Sequence, residues 1–292
     1  MRWMLLFRWL AGRSLRTVHG LGSLAGWLVY WVSPTYRRRL VANLERAVGP
    51  VEGRRLCAAA IAEAGKQSLE LLWVWLRPVP DVLTQVREAP GFDLLRQAPG
   101  GVIGLTPHMG CFELLPFYAV HYAGRTGVVL YRKPRRAEFE PLVRLGRARE
   151  GIRLASADVG GVRAIMKALR AGEVVGILPD QVPAAGEGVW APFFGRQAWT
   201  MSLAARLSEM KDVTVLLAWS ERLPEGKGFV LHMKALSPAL EGSTQARCEA
   251  INKHMEALIL QKPEQYLWGY NRYKRPPGVA PRPGEPVGSG AP

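Results

Sequence analysis

Cysteine is scarce here. Cys57, Cys111 and Cys248 are odd in number and far apart, which argues against a disulfide framework or a thiolate zinc cluster and points to a reducing compartment. The chain has no Cys-x2-Cys, His-Glu-x2-His, Walker A or Gly-x-Gly-x2-Gly pattern. Zinc ribbons, zinc-dependent proteases, P-loop nucleotidases and dinucleotide-binding domains therefore find no support, and no metal or cofactor is expected. No internal repeat occurs. No cleavable leader stands out, because arginines interrupt the first apolar stretch and no small-residue cleavage site follows. Acidic residues are few: 24 Asp and Glu stand against 39 Lys and Arg, a formal net charge of +15. A chain so basic seeks anionic partners. Without a nucleic-acid-binding motif, those partners are an anionic membrane surface or an acidic protein rather than nucleic acid.

What is present begins with an apolar N-terminus. Trp3, Leu5, Leu6, Phe7, Trp9 and Leu10 are interrupted by Arg2, Arg8, Arg13 and Arg16. Residues 17–33 then hold no charged side chain, and Arg37, Arg38 and Arg39 follow. As a helix those 17 residues would reach roughly 26 Å, marginal for crossing a bilayer. With ten tryptophans in the chain, which favour interfaces, the pattern predicts membrane-associating helices over 1–34, spanning or lying on the bilayer. A helical lead-in over 35–80 follows and ends at Pro78 and Pro80.

From residue 90 short apolar runs alternate with helical periods. Strands are expected at 102–105, 127–131, 152–155, 174–178, 213–219 and 229–233, and helices at 112–122, 160–169, 200–210 and 243–262. This predicts an α/β catalytic core over 90–275 with a largely parallel sheet flanked by helices. Residues 182–200 read as a Gly/Pro loop leading to Phe193-Phe194, either closing over a lipid chain or making a plain connection. Residues 276–292, rich in Pro and Gly, read as a disordered tail.

The chain is organised around Thr106-Pro107-His108-Met109-Gly110-Cys111-Phe112-Glu113, where a strand passes through a tight loop into a helix. His108 on the loop and Glu113 in the first helical turn read as a general base with an orienting carboxylate. The adjacent helix N-terminus and the backbone around Gly110 would stabilise an oxyanion. A Cys111 acyl-enzyme is the less economical alternative. In parallel sheets the site lies at the carboxyl ends of the strands. His108, Arg132 and Asp180 all fall there.

Five stretches then fall together: His108-x4-Glu113; Arg144-Leu-Gly-Arg-Ala-Arg-Glu-Gly151; Leu178-Pro-Asp-Gln181; Gly186-Glu-Gly-Val-Trp-Ala-Pro-Phe-Phe-Gly195; and Pro263-Glu-Gln-Tyr-Leu-Trp268. In this order the chain resembles the late acyltransferases of lipid A biosynthesis over about residues 1–275. The resemblance implies a glycerolipid-acyltransferase-like fold with an N-terminal membrane anchor at the cytoplasmic face of the bacterial inner membrane. It implies transfer of a fatty acyl chain from acyl carrier protein to a hydroxyl of a lipid A precursor. It assigns catalysis to His108 and Glu113, and an oxyanion or substrate-binding role to Asp180 and to Arg147 or Arg149. Arg132, Lys133, Arg135 and Arg136 would meet lipid phosphates or the acidic carrier. The chain departs from the family pattern at Pro107 and Cys111, where many members carry Asn, and at Tyr270-Asn271, where a His is frequent. Those departures bear on substrate choice. The rival readings are an acyltransferase of lysophospholipids or other envelope lipids, and a non-enzymatic basic membrane-attached protein.

Overall fold

The computed structural model describes residues 2–134 and 136–284, with the backbone alone for Arg2 and Trp3. Four helices lead: α1 (Arg2–Ala11), α2 (Leu15–Val32), α3 (Pro34–Val48) and α4 (Pro50–Leu76). Ser33 ends α2 and caps α3, its hydroxyl accepting from the Tyr36 N–H at 3.3 Å, while Pro34 supplies the fixed first-turn φ. The helices α2 and α4 cross with backbones nearly touching. A Cβ at Gly26 would lie 2.2 Å from the Ile61 carbonyl, and one at Gly65 would lie 2.0 Å from the Gly22 carbonyl. Glycine is required at this crossing. None of the described helices is long and apolar enough to cross a membrane.

The remaining elements are α5 (Val79–Leu83), β1 (Val86–Glu88), α6 (Asp93–Gln97), β2 (Gly101–Leu105), α7 (Leu114–Ala123), β3 (Gly127–Tyr131), α8 (Glu140–Arg147), β4 (Ile152–Ser156), α9 (Val159–Arg170), β5 (Val174–Ile177), β6 (Gly188–Phe193), β7 (Arg196–Met201), α10 (Leu203–Leu207), β8 (Val213–Arg222), β9 (Phe229–Ala235) and α11 (Thr244–Ile259). Seven strands form one sheet in the order β1-β9-β8-β2-β5-β3-β4. All neighbours are parallel except β8 and β9. The expected α/β class and mostly parallel sheet are present.

Each central strand buries both faces, as parallel sheets require. Ile103, Leu105, Val175 and Ile177 pack with Ile165 and Leu169 of α9 on one side. Val102, Val174, Val129 and Leu216 face Leu115, Ala119 and Val120 of α7 on the other. Two sequence expectations change in the C-terminal half. Residues 188–201 form the antiparallel hairpin β6–β7 rather than a loop, and the helix expected from residue 200 starts at Leu203. The first part of the tail is held: Trp190 Nε1 donates to the Ala280 carbonyl at 3.1 Å, and Arg282 donates to the Tyr273 carbonyl. The rest of the expected tail lies outside the described residues.

Candidate active site

The loop leaving β2 turns over the carboxyl ends of β5 and β8. Gly110 has φ +55°, and a Cβ there would sit 1.6 Å from the Ser220 carbonyl, so only glycine lets the loop pass. The C-terminal segment clamps the loop: Gly110 N–H donates to the Gln265 carbonyl at 3.1 Å and Leu267 N–H to the His108 carbonyl at 3.2 Å. The Gln265 side chain is fixed in turn, its amide donating to the Arg222 carbonyl and accepting from the Arg222 N–H. Gln67 of α4 donates to the Gly110 carbonyl at 3.3 Å.

His108 is thereby set on a second carboxylate from the adjacent strand. Its Nδ1 lies 2.7 Å from Asp180 Oδ1, and its backbone N–H donates to Asp180 Oδ2 at 2.9 Å. Asp180 is 1% exposed and the His108 side chain 18%. Burial raises the Asp180 carboxyl, but the His108 ring and both His108 hydrogen bonds outweigh it and hold the group below the usual carboxylate range. An ionised Asp180 fixes the proton on Nδ1, which leaves the Nε2 lone pair as the basic one. Nε2 is met by the Gln181 amide nitrogen at 3.0 Å.

The structure gives several of the expected residues partners other than His108. The Glu113 carboxylate is one of them. It accepts from Arg147 Nε and from Trp75 Nε1, each at 2.9 Å, with a second Arg147 bond to its other oxygen. Gly110 N–H, expected at an oxyanion, is already committed to Gln265. Arg149 turns away to cap the end of α4, donating to the Val74 carbonyl at 2.6 Å and to the Arg77 carbonyl. Cys111 is buried, and burial pushes its thiol well above the ordinary value, with Glu70 adding to the effect; this does not suit a nucleophile. Arg132 borders the site and is exposed, as are Lys133 and Arg136; Arg136 approaches Glu138 at 3.8 Å. Arg135 lies outside the described residues. Among the described residues no cluster of His, Cys, Asp or Glu could hold a metal ion.

A cavity of about 450 Å³ lies between the sheet and α7, lined by His108, Arg132, Arg147 and Gln181 and by Val102, Val174, Phe92 and Leu95. Its lining is mainly apolar; His108, Arg132 and Gln181 follow the carboxyl ends of β2, β3 and β5, whereas Val102 and Val174 lie at the amino ends of β2 and β5.

Residues 3–275 match the family model described as bacterial lipid A biosynthesis acyltransferase. The chain belongs to that family. It is 34% identical over 129 residues to the lipid A biosynthesis lauroyltransferase of Escherichia coli K12, a match covering 43% of this chain and 42% of that protein. It is 28% identical over 249 residues to the lipid A biosynthesis palmitoleoyltransferase of the same organism and to a lipid A biosynthesis acyltransferase of Shigella flexneri. Those matches cover 80% of this chain and 74% of each relative.

In this lipid A acyltransferase family member the five sequence blocks meet around one site. The first and third carry His108 and Asp180. The second carries Arg147 to Glu113. The fourth forms β6 and the turn of the β6–β7 hairpin, whose Phe194 ring lies 5.7 Å from that of Trp268, and the fifth clamps the His108 loop. Sequence reasoning missed Gln181, Gln265, Gln67 and the Trp75–Glu113 bond. Gln181 and Gln265 stood inside two of the blocks; Gln67 and Trp75 carried no local signal beyond their positions on α4.

Proposed function

We propose that this chain transfers a fatty acyl group from an acyl carrier protein thioester to a hydroxyl of a lipid A precursor. The observation that carries the reading is the His108–Asp180 pair, with His108 lining a mainly apolar cavity. An acyl chain would fill the cavity and leave its thioester carbonyl at His108. In the proposed reaction Nε2 takes the proton of the acceptor hydroxyl, and the alkoxide attacks the thioester carbon. The carbon–sulfur bond breaks as the tetrahedral intermediate collapses, and the imidazolium returns the proton to the leaving thiolate. Asp180 stabilises the imidazolium meanwhile. In this reading the acceptor hydroxyl displaces the Gln181 amide from Nε2, and that amide and Arg147 serve as donors to the oxyanion. Glu113, held by Arg147 and Trp75, positions that arginine.

The reading places the enzyme at the cytoplasmic face of the bacterial inner membrane. In support, Leu5, Leu6 and Trp9 of α1 and Leu24, Leu28, Trp31 and Val32 of α2 are all exposed, beside exposed Arg8, Arg16, Arg38 and Arg39. That is the composition of helices lying in an interface. The charge of +15 would also speed encounter with an acidic carrier protein.

The test offers medium-chain acyl carrier protein to detergent-purified protein, with either a tetra-acylated lipid A precursor or lysophosphatidic acid as acceptor. Acylation of the lipid A precursor is expected. Acylation of lysophosphatidic acid alone would overturn the acceptor assignment, and transfer to neither would overturn the reading.

A further inference from the structure

Glycine in a strand interior loses packing and conformational entropy, and it persists where another group approaches closely. Gly104 of β2 and Gly176 of β5 are paired in register at the centre of the sheet. Both face the cavity. Neither has a left-handed φ. Neither is forced by crowding: an added Cβ would come no nearer than 3.9 Å to any neighbour at Gly104 and 3.7 Å at Gly176. Gly127, also on the cavity, is different, because its Cβ would meet Val120 at 2.8 Å. The opposite face of the same two strands carries full-sized Ile103, Leu105, Val175 and Ile177. The sheet is hollowed on one side only, by two residues the fold itself does not need.

We infer that the Gly104–Gly176 pair is the gate of an acyl-length gauge, opening the cavity to a floor formed by the paired Val102 and Val174. This deepens the acyltransfer reading and rests on it. From Thr106 to Val102 is four strand residues, about 13 Å at ~3.3 Å each. Tetrahedral carbon–carbon bonds of about 1.5 Å advance an extended chain by ~1.25 Å per carbon. The cavity below Thr106 thus holds about ten carbons, and with those beside His108 the gauge selects a saturated chain of about twelve. The glycine layer lies two residues above the valine layer, so a valine-sized side chain that blocks the cavity there removes room for about five carbons, and a single methyl that only narrows it removes fewer.

The test uses full-length protein in detergent: wild type, Gly176→Val, Gly104→Ala and Val174→Ala, each checked by thermal melting. Two readouts are taken. Binding of free saturated fatty acids from six to sixteen carbons reads the cavity without any transfer. Mass spectrometry of product esters from a mixed acyl carrier protein pool reads selection during transfer. In both, Gly176→Val should move the optimum down by about five carbons, Gly104→Ala down by one or two, and Val174→Ala up by one or two. An unchanged length profile in folded Gly104→Ala and Val174→Ala overturns the gauge, whatever becomes of Gly176→Val. Absence of transfer by wild type would count against the acyltransfer reading, and the binding profile would still decide this one.

Discussion

The proposed role of His108 as a base requires that one ring nitrogen be tied down and the other left basic. His108 meets that condition through Asp180, which lies 72 positions away in sequence. The histidine was legible from its loop, and so was Asp180 at a strand end, but their pairing was not. It depends on β2 and β5 being sheet neighbours, and sequence distance does not encode strand order. His108 and Glu113 looked like partners because five-residue spacing implies proximity. Gly110 turns the loop between them, however, and carries Glu113 to α8 and Arg147. Replacing Gln181 with Ala should lower kcat by about 10²-fold with the melting temperature unchanged, as expected for loss of one oxyanion donor. A kcat within threefold of wild type would remove Gln181 from the mechanism.

At the scale of elements, the N-terminal helices are joined to the sheet by a buried ion network. Glu70 of α4 accepts from Arg222 of β8 and from His19 of α2, each at 2.5 Å. Burial raises the Glu70 carboxyl, but Arg222 and His19 more than offset this and hold it at about 2, from an ordinary 4.5. A depressed carboxyl stabilises the fold above its unfolded pKa, and the contribution is lost as pH falls from about 4.5 to about 2. Urea titrations across that window should show stability falling. Glu70→Gln should lose about 3 kcal/mol or more at pH 7, because Arg222 stays buried without its charge, and should flatten the acid limb. An equally steep acid limb in Glu70→Gln would assign the effect elsewhere. At the α2–α4 crossing, Gly26→Leu should cost about 2 kcal/mol or more by thermal melting; a variant as stable as wild type would mean that the two helices do not cross this closely. Helical periods made these elements readable from sequence. The β6–β7 hairpin was not readable, because β7 buries only Ala198 and Thr200, a small and a polar residue that leave no apolar alternation.

Across the whole molecule, exposed apolar N-terminal faces and excess positive charge are what the proposed uptake of lipid from a membrane surface needs. The apolar N-terminus was visible in sequence as a charge-free run. Its division into a face packed on α4 and an exposed face was not, because glycine spacing alone does not say which helix is met. Leu24 and Leu28 are 67% and 60% exposed, so Leu24→Glu with Leu28→Glu should leave the fold intact. Flotation with vesicles containing an anionic phospholipid should show binding reduced at least about tenfold, and wild-type binding should weaken with salt. Undiminished flotation of the double variant would place the membrane contact on another face.

The proposed mechanism turns on which carboxylate serves His108. The direct measurement is kcat and KM for acyl transfer by Asp180→Asn and Glu113→Gln, with His108→Ala beside them. Asp180→Asn should match His108→Ala within about tenfold, with kcat down by 10²-fold or more and KM little changed, because the ring loses its fixed tautomer. Glu113→Gln should keep more activity, having lost only the charge that positions Arg147. Near-wild-type turnover in Asp180→Asn, with Glu113→Gln as inactive as His108→Ala, would contradict the His108–Asp180 pair and return the orienting role to Glu113.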